Sequence, residues 1–240
     1  MAFPTALVRA AVRPGPDIRP PLPGQTYVVS IDQAFTRDVF AAAVGHRDGE
    51  MMIVDLVVGW HGTRATPLPF DATLDQVAEL ARAYGAARVR LDQYAKEPII
   101  QGLARRGIEV IPGDWTNERT ASAVAATRTA LIAGHLDLPN HGPLINELIA
   151  YEGHQPAGGR PRFGAPGGGP DDYVSALLGL VDETTGATWT PEGEYFARGV
   201  WRCQACGHPF VWDPRRLCPM CGEPAPDRYD RPAPPGPQPA

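Results

Sequence analysis

No run of consecutive apolar residues in this chain approaches the roughly 18 needed to cross a bilayer, and the opening MAFPTALVRAAVRPG has no long apolar centre of the secretory kind. A soluble, intracellular protein without membrane contact is the expectation. Lysine is nearly missing too, since of 22 basic residues all but Lys96 are arginine. GC-rich coding is the first explanation for that bias, in company with 27 prolines and 26 glycines, although arginine also offers phosphate a planar, bidentate partner. There is no excess of positive charge. A net charge of −5 and a pI near 5.7 exclude a protein that coats nucleic acid by overall charge, so any polyanion has to be met by a local surface. Cysteine is restricted to four residues in one C-terminal stretch, which argues against a disulfide framework and for a reducing compartment, the cytoplasm.

What is present suffices for one packed domain and a small appendage. Residues 1–24 hold six prolines and read as an extended N-terminal arm with room for one short helical turn at ALVRAAV. The folded body, residues 25–185, begins near Gln25 with TYVVSIDQA, DVFAAAVGHRD and EMMIVDLVVGW, three β-branched-rich runs that predict sequential antiparallel strands. A helix over Thr73–Tyr84 follows, with Asp71 or Thr73 as candidate cap. The strand ARVRLDQY, the helix EPIIQGLARRG and the strand IEVIPGDW then alternate in the βαβ manner that generates parallel pairing. Two more helices are predicted at TNERTASAVAATRTALIAGH, started by Thr116, and at GPLINELIAYE. GHQPAGGRPRFGAPGGGP reads as a mobile loop or irregular hairpin, and DDYVSALLGLV as the closing helix. Residues 186–224 form a linker and a cysteine module, and the Pro-rich 225–240 a disordered tail.

Three of these segments place a carboxylate where an apolar run ends or a helix opens: Asp32, Asp92 and the pair Asp171 and Asp172. Taken singly, each is also an ordinary turn or cap residue. An all-acid set without nearby Cys or His suits hard cations, Mg²⁺ or Mn²⁺, which serve the cutting and transfer of phosphate esters. His46, His61, His135, His141 and His154 show no metal spacing and read as surface or core residues.

The element order, three antiparallel strands, alternating helix and parallel strand, then a closing helix, matches the α/β RNase H-like fold, a mixed sheet flanked by helices. That fold brings carboxylates from the first strand, the fourth strand and a late helix to one sheet edge. More narrowly, SIDQA, VRLDQYAKEPIIQGLARRGIEVIP, NERTASAVAATRTALIAGHLDLPNHGPLINELIAYE and PDDYVSALLGLV resemble the nuclease domain of the large terminase subunit of tailed bacteriophages, over about residues 1–182. The resemblance implies a metal-dependent DNA endonuclease that hydrolyses phosphodiester bonds by a two-metal mechanism during viral genome packaging in the host cytoplasm. By the same resemblance, Asp32, Asp92, Asp171 and Asp172 are its metal ligands. Many relatives carry a further acid one turn after the Asp pair where this chain has Ser175, which leaves the second ion to Asp171 or more weakly held. No GxxxxGKS/T phosphate loop occurs, so translocation would fall to a separate packaging ATPase. A small terminase subunit and a portal protein are the other partners implied, with double-stranded DNA as substrate. Arg37, Lys96, Arg119, Arg128, Arg160 and Arg162 are candidate phosphate contacts or solvated surface residues.

Cys203, Cys206, Cys218 and Cys221 form two CxxCG knuckles with the spacing of a closed tetrahedral site, a zinc ribbon whose Zn²⁺ is structural. A rubredoxin-like iron site shares this ligand set, and unpaired thiols are the remaining alternative. Trp201, Phe210, Val211 and Trp212 are placed to pack the two hairpins, a module too small to bury enough by itself. Two other functions fit the same residues: a catalytically silent DNA-binding or scaffold module of a packaging complex, and a resolvase- or transposase-type nuclease on the same fold.

Overall fold

A computed structural model describes residues 1–36, 38–86, 88–91, 96–113, 115–154, 162–185, 200–202 and 209–211. They belong to two units, Met1–Trp189 and Thr190–Ala240. In the first, the predicted meander is present as β1 (Tyr27–Asp32), β2 (Val39–Asp48) and β3 (Met51–His61), each antiparallel to the next. After α2 (Phe70–Ala83) come β4 (Arg88–Leu91), α3 (Lys96–Ala104) and β5 (Glu109–Pro112), with both strands parallel to β1 as the helical crossovers require. The chain continues through α4 (Asn117–Ala133), the two-residue β6 (Leu136–Asp137) and α5 (Gly142–Ala150). The hairpin β7 (Glu152–His154) and β8 (Arg162–Gly164) precedes α6 (Asp172–Thr185). The six-stranded sheet has the order β5-β4-β1-β2-β3-β6.

Period-two alternation divides the strands between two cores. Tyr27, Val29, Ile31, Phe40, Ala42 and Val44 face one side, where Leu74, Val77, Ala78 and Ala81 of α2 and Ile99 and Leu103 of α3 meet them. Ala41, Ala43, Val54 and Val57 face the other, beneath α4, α5 and α6. Helix α6 is apolar nearly all round, with Val174, Ala176, Leu177, Leu178 and Leu180 wholly buried, the pattern of a central rather than a surface helix. Two glycines let it lie close to the sheet. A side chain at Gly179 would run into the hydroxyl of Ser30 on β1, and one at Gly59 on β3 into the hydroxyl of Tyr173. Both contacts set the depth at which the first turn of α6 meets the strand ends.

Two sequence expectations are corrected. The short helical turn allowed at ALVRAAV is present as α1 (Thr5–Ala11), but the lead-in packs on the body and is not an extended arm: Phe3 and Val8 are fully buried, and Phe3 stacks on Tyr151 at 5.8 Å. Ala2 N donates to Tyr151 O at 2.7 Å, so the apolar residues between the prolines find a core face. Helix α2 starts earlier than Thr73, with Pro69 at the cap; Thr73 lies within it and turns its hydroxyl back to Pro69 O at 2.8 Å. By contrast, Thr116 does cap α4, accepting from Arg119 N at 3.2 Å. Among the described residues no helix is long and apolar enough to cross a membrane. In the second unit, β9 (Val200–Arg202) and β10 (Pro209–Val211) pair antiparallel with Trp201 opposite Phe210. Cys203, Cys206, Cys218, Cys221 and Trp212 lie outside the described residues.

Candidate metal centre

Asp32 is the last residue of β1, and its Cα partner on β2 is Ala41, itself opposite Gly59 of β3. This row crosses the end of the sheet where β1 finishes and β2 begins. Tyr173 stands on Gly59, and Asp172 Oδ2 accepts from Val39 N at 3.2 Å, two residues from Ala41 along β2. The start of α6 is thereby tied to the sheet end that holds Asp32. Asp171 precedes the helix and turns its Oδ2 to Ala165 N at 3.3 Å, beyond the β7–β8 hairpin. On the other side of β1, Leu91 closes β4 opposite Ile31. Asp92 is the next residue in sequence and lies outside the described residues.

The electrostatics of this end of the sheet are those of crowded acids. Burial raises the Asp171 carboxyl above the ordinary aspartate range, with the charge of Asp38 adding to it and the Ala165 N–H opposing. Asp172 is raised for the same first reason, opposed by the Val39 N–H and pushed further by Asp38 and Asp171. Tyr151 is held up by burial and then by the charges of Asp171 and Asp32, which places both aspartates within electrostatic reach of one hydroxyl.

Two acids of this neighbourhood escaped the sequence analysis. Asp38 is exposed just before β2 in a short charged segment without periodicity, and only the strand register discloses its place. Glu147 did leave a signal, an acid between Leu144, Leu148 and Tyr151 on the apolar face of a helix. His141 starts that helix by accepting from Leu144 N at 3.2 Å, and its ring lies 4.8 Å from that of Tyr173.

Burial pushes the Glu147 carboxyl from 4.5 to about 7, with Asp172 and Asp171 adding to the rise and the N–H groups of Val174 and Tyr173 opposing it. A carboxyl raised on folding binds its proton in the folded state while the unfolded chain has already released it, so it contributes stability at low pH that is lost as pH climbs through that window. In the absence of divalent cations, stability is expected to fall between pH 5 and 8 by up to about 3 kcal/mol from this group. The variant Glu147→Gln should flatten that slope in thermal melts recorded across the range.

The predicted cationic residues are distributed less uniformly. Arg119 Nε lies 2.8 Å from Asp182 and is engaged within the domain. Arg128 is half-buried on α4, and Arg162 is exposed on β8 beside the acidic end. Lys96 opens α3, while Arg37 and Arg160 lie outside the described residues.

The candidate donors Asp32, Asp92, Asp171 and Asp172 offer oxygen alone, a chemistry suited to a hard divalent cation. Among the described residues no group of three or more His, Cys, Asp or Glu side chains is arranged to hold a metal ion. Asp92 is absent from that set.

Sheet order, mixed strand direction and the closing helix together define the RNase H-like fold in the form found in terminase nuclease domains. Among solved structures, the chain is similar to the large terminase nuclease from thermophilic phage G20c, with 19% identity over 75% of this chain and 96% of that one and a TM-score of 0.61. The nuclease domain of the Thermus phage P74-26 large terminase aligns with 16% identity, 75% and 94% coverage and a TM-score of 0.61. The HK97 bacteriophage large terminase aligns at 11% identity over 76% of this chain and 43% of that one, with a TM-score of 0.62. The chain thus spans less than half the length of the HK97 terminase chain it matches. No family model and no curated protein matches the sequence.

Proposed function

We propose that the chain is a metal-dependent endonuclease of the phage large-terminase type, cutting double-stranded DNA during genome packaging. The observation that carries this reading is the joining of Asp172 at the start of α6 to the sheet end where Asp32 closes β1, beside the strand that Asp92 follows. Asp32, Asp92, Asp171 and Asp172 would hold Mg²⁺ or Mn²⁺. Such an ion, when bound, lowers the pKa of a water and stabilises charge on a leaving oxygen.

The rest of the site's work belongs to the chain itself. Val39 N–H and Ala165 N–H orient one oxygen each of Asp172 and Asp171, so the carboxylates are set before any ion arrives. Crowding of like charges supplies the affinity for a cation, because a cation relieves repulsion that the empty cluster sustains. The G20c nuclease has been solved with bound magnesium and with bound cobalt, which supports a divalent ion of this kind. Cys203, Cys206, Cys218 and Cys221 would hold a structural Zn²⁺ in the second unit. A packaging ATPase, a small terminase subunit and a portal protein are the partners this reading requires.

Incubating the full chain with supercoiled plasmid and Mn²⁺ or Mg²⁺ should yield nicked and then linear DNA, and chelator should stop it. No cleavage with either ion would leave the scaffold reading, and cleavage that survives chelator would refute the metal dependence. Strong preference for branched over linear duplex would point to the resolvase type instead.

A further inference from the structure

The first turn of a helix carries N–H groups without a partner inside the helix, and a side chain at or before that turn commonly takes one of them. In α6 one oxygen of each local carboxylate is turned elsewhere, while Asp172 also reaches its own N–H. Asp171 Oδ2 is aimed at Ala165 N and Asp172 Oδ2 at Val39 N, out of the helix and toward the loop and the strand. The N–H of Val174 in that first turn is instead taken by Glu147 Oε2 at 3.0 Å, an acid of the neighbouring helix α5. Glu147 is 8% exposed and lies between the fully buried Leu144 and Leu148, so its carboxyl is held by a packed helix rather than a free rotamer.

We propose that Glu147 is the positioning residue of this site: it caps α6 from α5 and so leaves Asp172 turned to the sheet end that carries Asp32 and Asp171 to the adjoining loop at Ala165. An aspartate at 147 would be one methylene short of Val174, whereas glutamine keeps an acceptor oxygen at the same reach. Alanine would leave the N–H unmatched in a buried setting, and the aspartates are the nearest acceptors able to swing back to it. Metal binding should then weaken although no ligand was changed, as happens when groups that orient ligands are removed. The inference rests on the nuclease reading only for what the aspartates hold.

The test compares the full-length parent chain with Glu147→Gln and Glu147→Ala by amide hydrogen exchange at 173–175 and by calorimetric titration with Mn²⁺. Glu147→Ala should exchange faster in that turn alone and bind Mn²⁺ about 10- to 100-fold more weakly, with Glu147→Gln near the parent in both. Unchanged protection of Val174 in Glu147→Ala would overturn the proposal. So would a Glu147→Gln chain that loses Mn²⁺ as fully as the alanine variant, since the carboxylate would then itself be a ligand. If Glu147→Ala fails to fold, the glutamine variant decides: retained protection and Mn²⁺ affinity support the cap, and loss of either refutes it. A parent chain unable to cut DNA would end the nuclease reading, while the exchange data would still decide the cap.

Discussion

Replacing Asp32 by alanine should abolish plasmid cleavage, lowering the rate by at least about 10²-fold under Mn²⁺, the scale on which a preorganised electrostatic group acts. The physical ground is its position. Asp32 ends β1 directly opposite Ala41, in the same row as the Gly59 contact of Tyr173, so it faces the start of α6 across the end of one sheet. Among the described residues, its partners in the row on β2 and β3, Ala41 and Gly59, carry no carboxylate. Folding should survive the change, because Asp32 is the half-buried last residue of β1 and the strand's core residues Val29 and Ile31 are untouched. Cleavage assays run beside thermal melts separate the two effects. An Asp32→Ala chain that nicks DNA like its parent would show that the reaction lies elsewhere.

The largest loss of stability is expected at Asp182, on the last turns of α6. Its Oδ2 lies 2.6 Å from Arg90 of β4 and 2.8 Å from Nε of Arg119 on α4, and its side chain is wholly buried. Arg90 is 3% exposed, and its guanidinium lies 4.6 Å from the centre of the Trp115 ring. Burial draws Arg90 below the ordinary arginine range, and the charge of Asp182 opposes that fall. Removing the acid leaves the desolvated Arg90 with the longer 3.8 Å contact to Glu183, so Asp182→Ala should cost about 3 kcal/mol in denaturant unfolding. Replacing both Arg90 and Asp182 by apolar residues of similar volume should cost less, since the charges then left without these partners, Arg119 and Glu183, are partly exposed. Near-equal stability of Asp182→Ala and the parent would mean that water reaches Arg90. Because Arg90 lies two residues before Asp92 and Asp182 lies on the helix that begins at Asp172, this pair also ties together two elements that carry proposed ligands.

Where the chain's own pattern is periodic, its elements were legible. The β-branched runs of β1, β2 and β3 announce themselves, as do the Thr116 cap of α4 and the apolar closing helix α6. The fold class follows from their order, because βαβ crossovers leave few topologies open. Legibility ended where a residue's role is defined by a distant neighbour. Phe3 and Val8 sit among prolines, and only the surface offered by Tyr151 and the α5–α6 side of the sheet turns them into core. Strand β6 is two residues long, too short for any period, and exists because Met52 and Ile53 of β3 had an open edge. Asp71 resembles a cap in sequence, but the start of α2 is set by the turn after Pro69.

For the candidate site, the sequence by itself determined the chemistry on offer: which carboxylates stand at strand ends and helix starts, and that they are hard oxygen donors without thiol or imidazole beside them. Composition and local period are properties of neighbouring residues, and these were read from neighbouring residues. Only the tertiary structure decided that Asp172 reaches Val39, that Asp171 turns to Ala165, and that Glu147 takes the helix N–H they leave. Those contacts join residues as many as 133 positions apart. Their existence depends on how closely α6 can lie on β1 and β3, a depth fixed by Gly179 and Gly59 through packing, which no local pattern encodes.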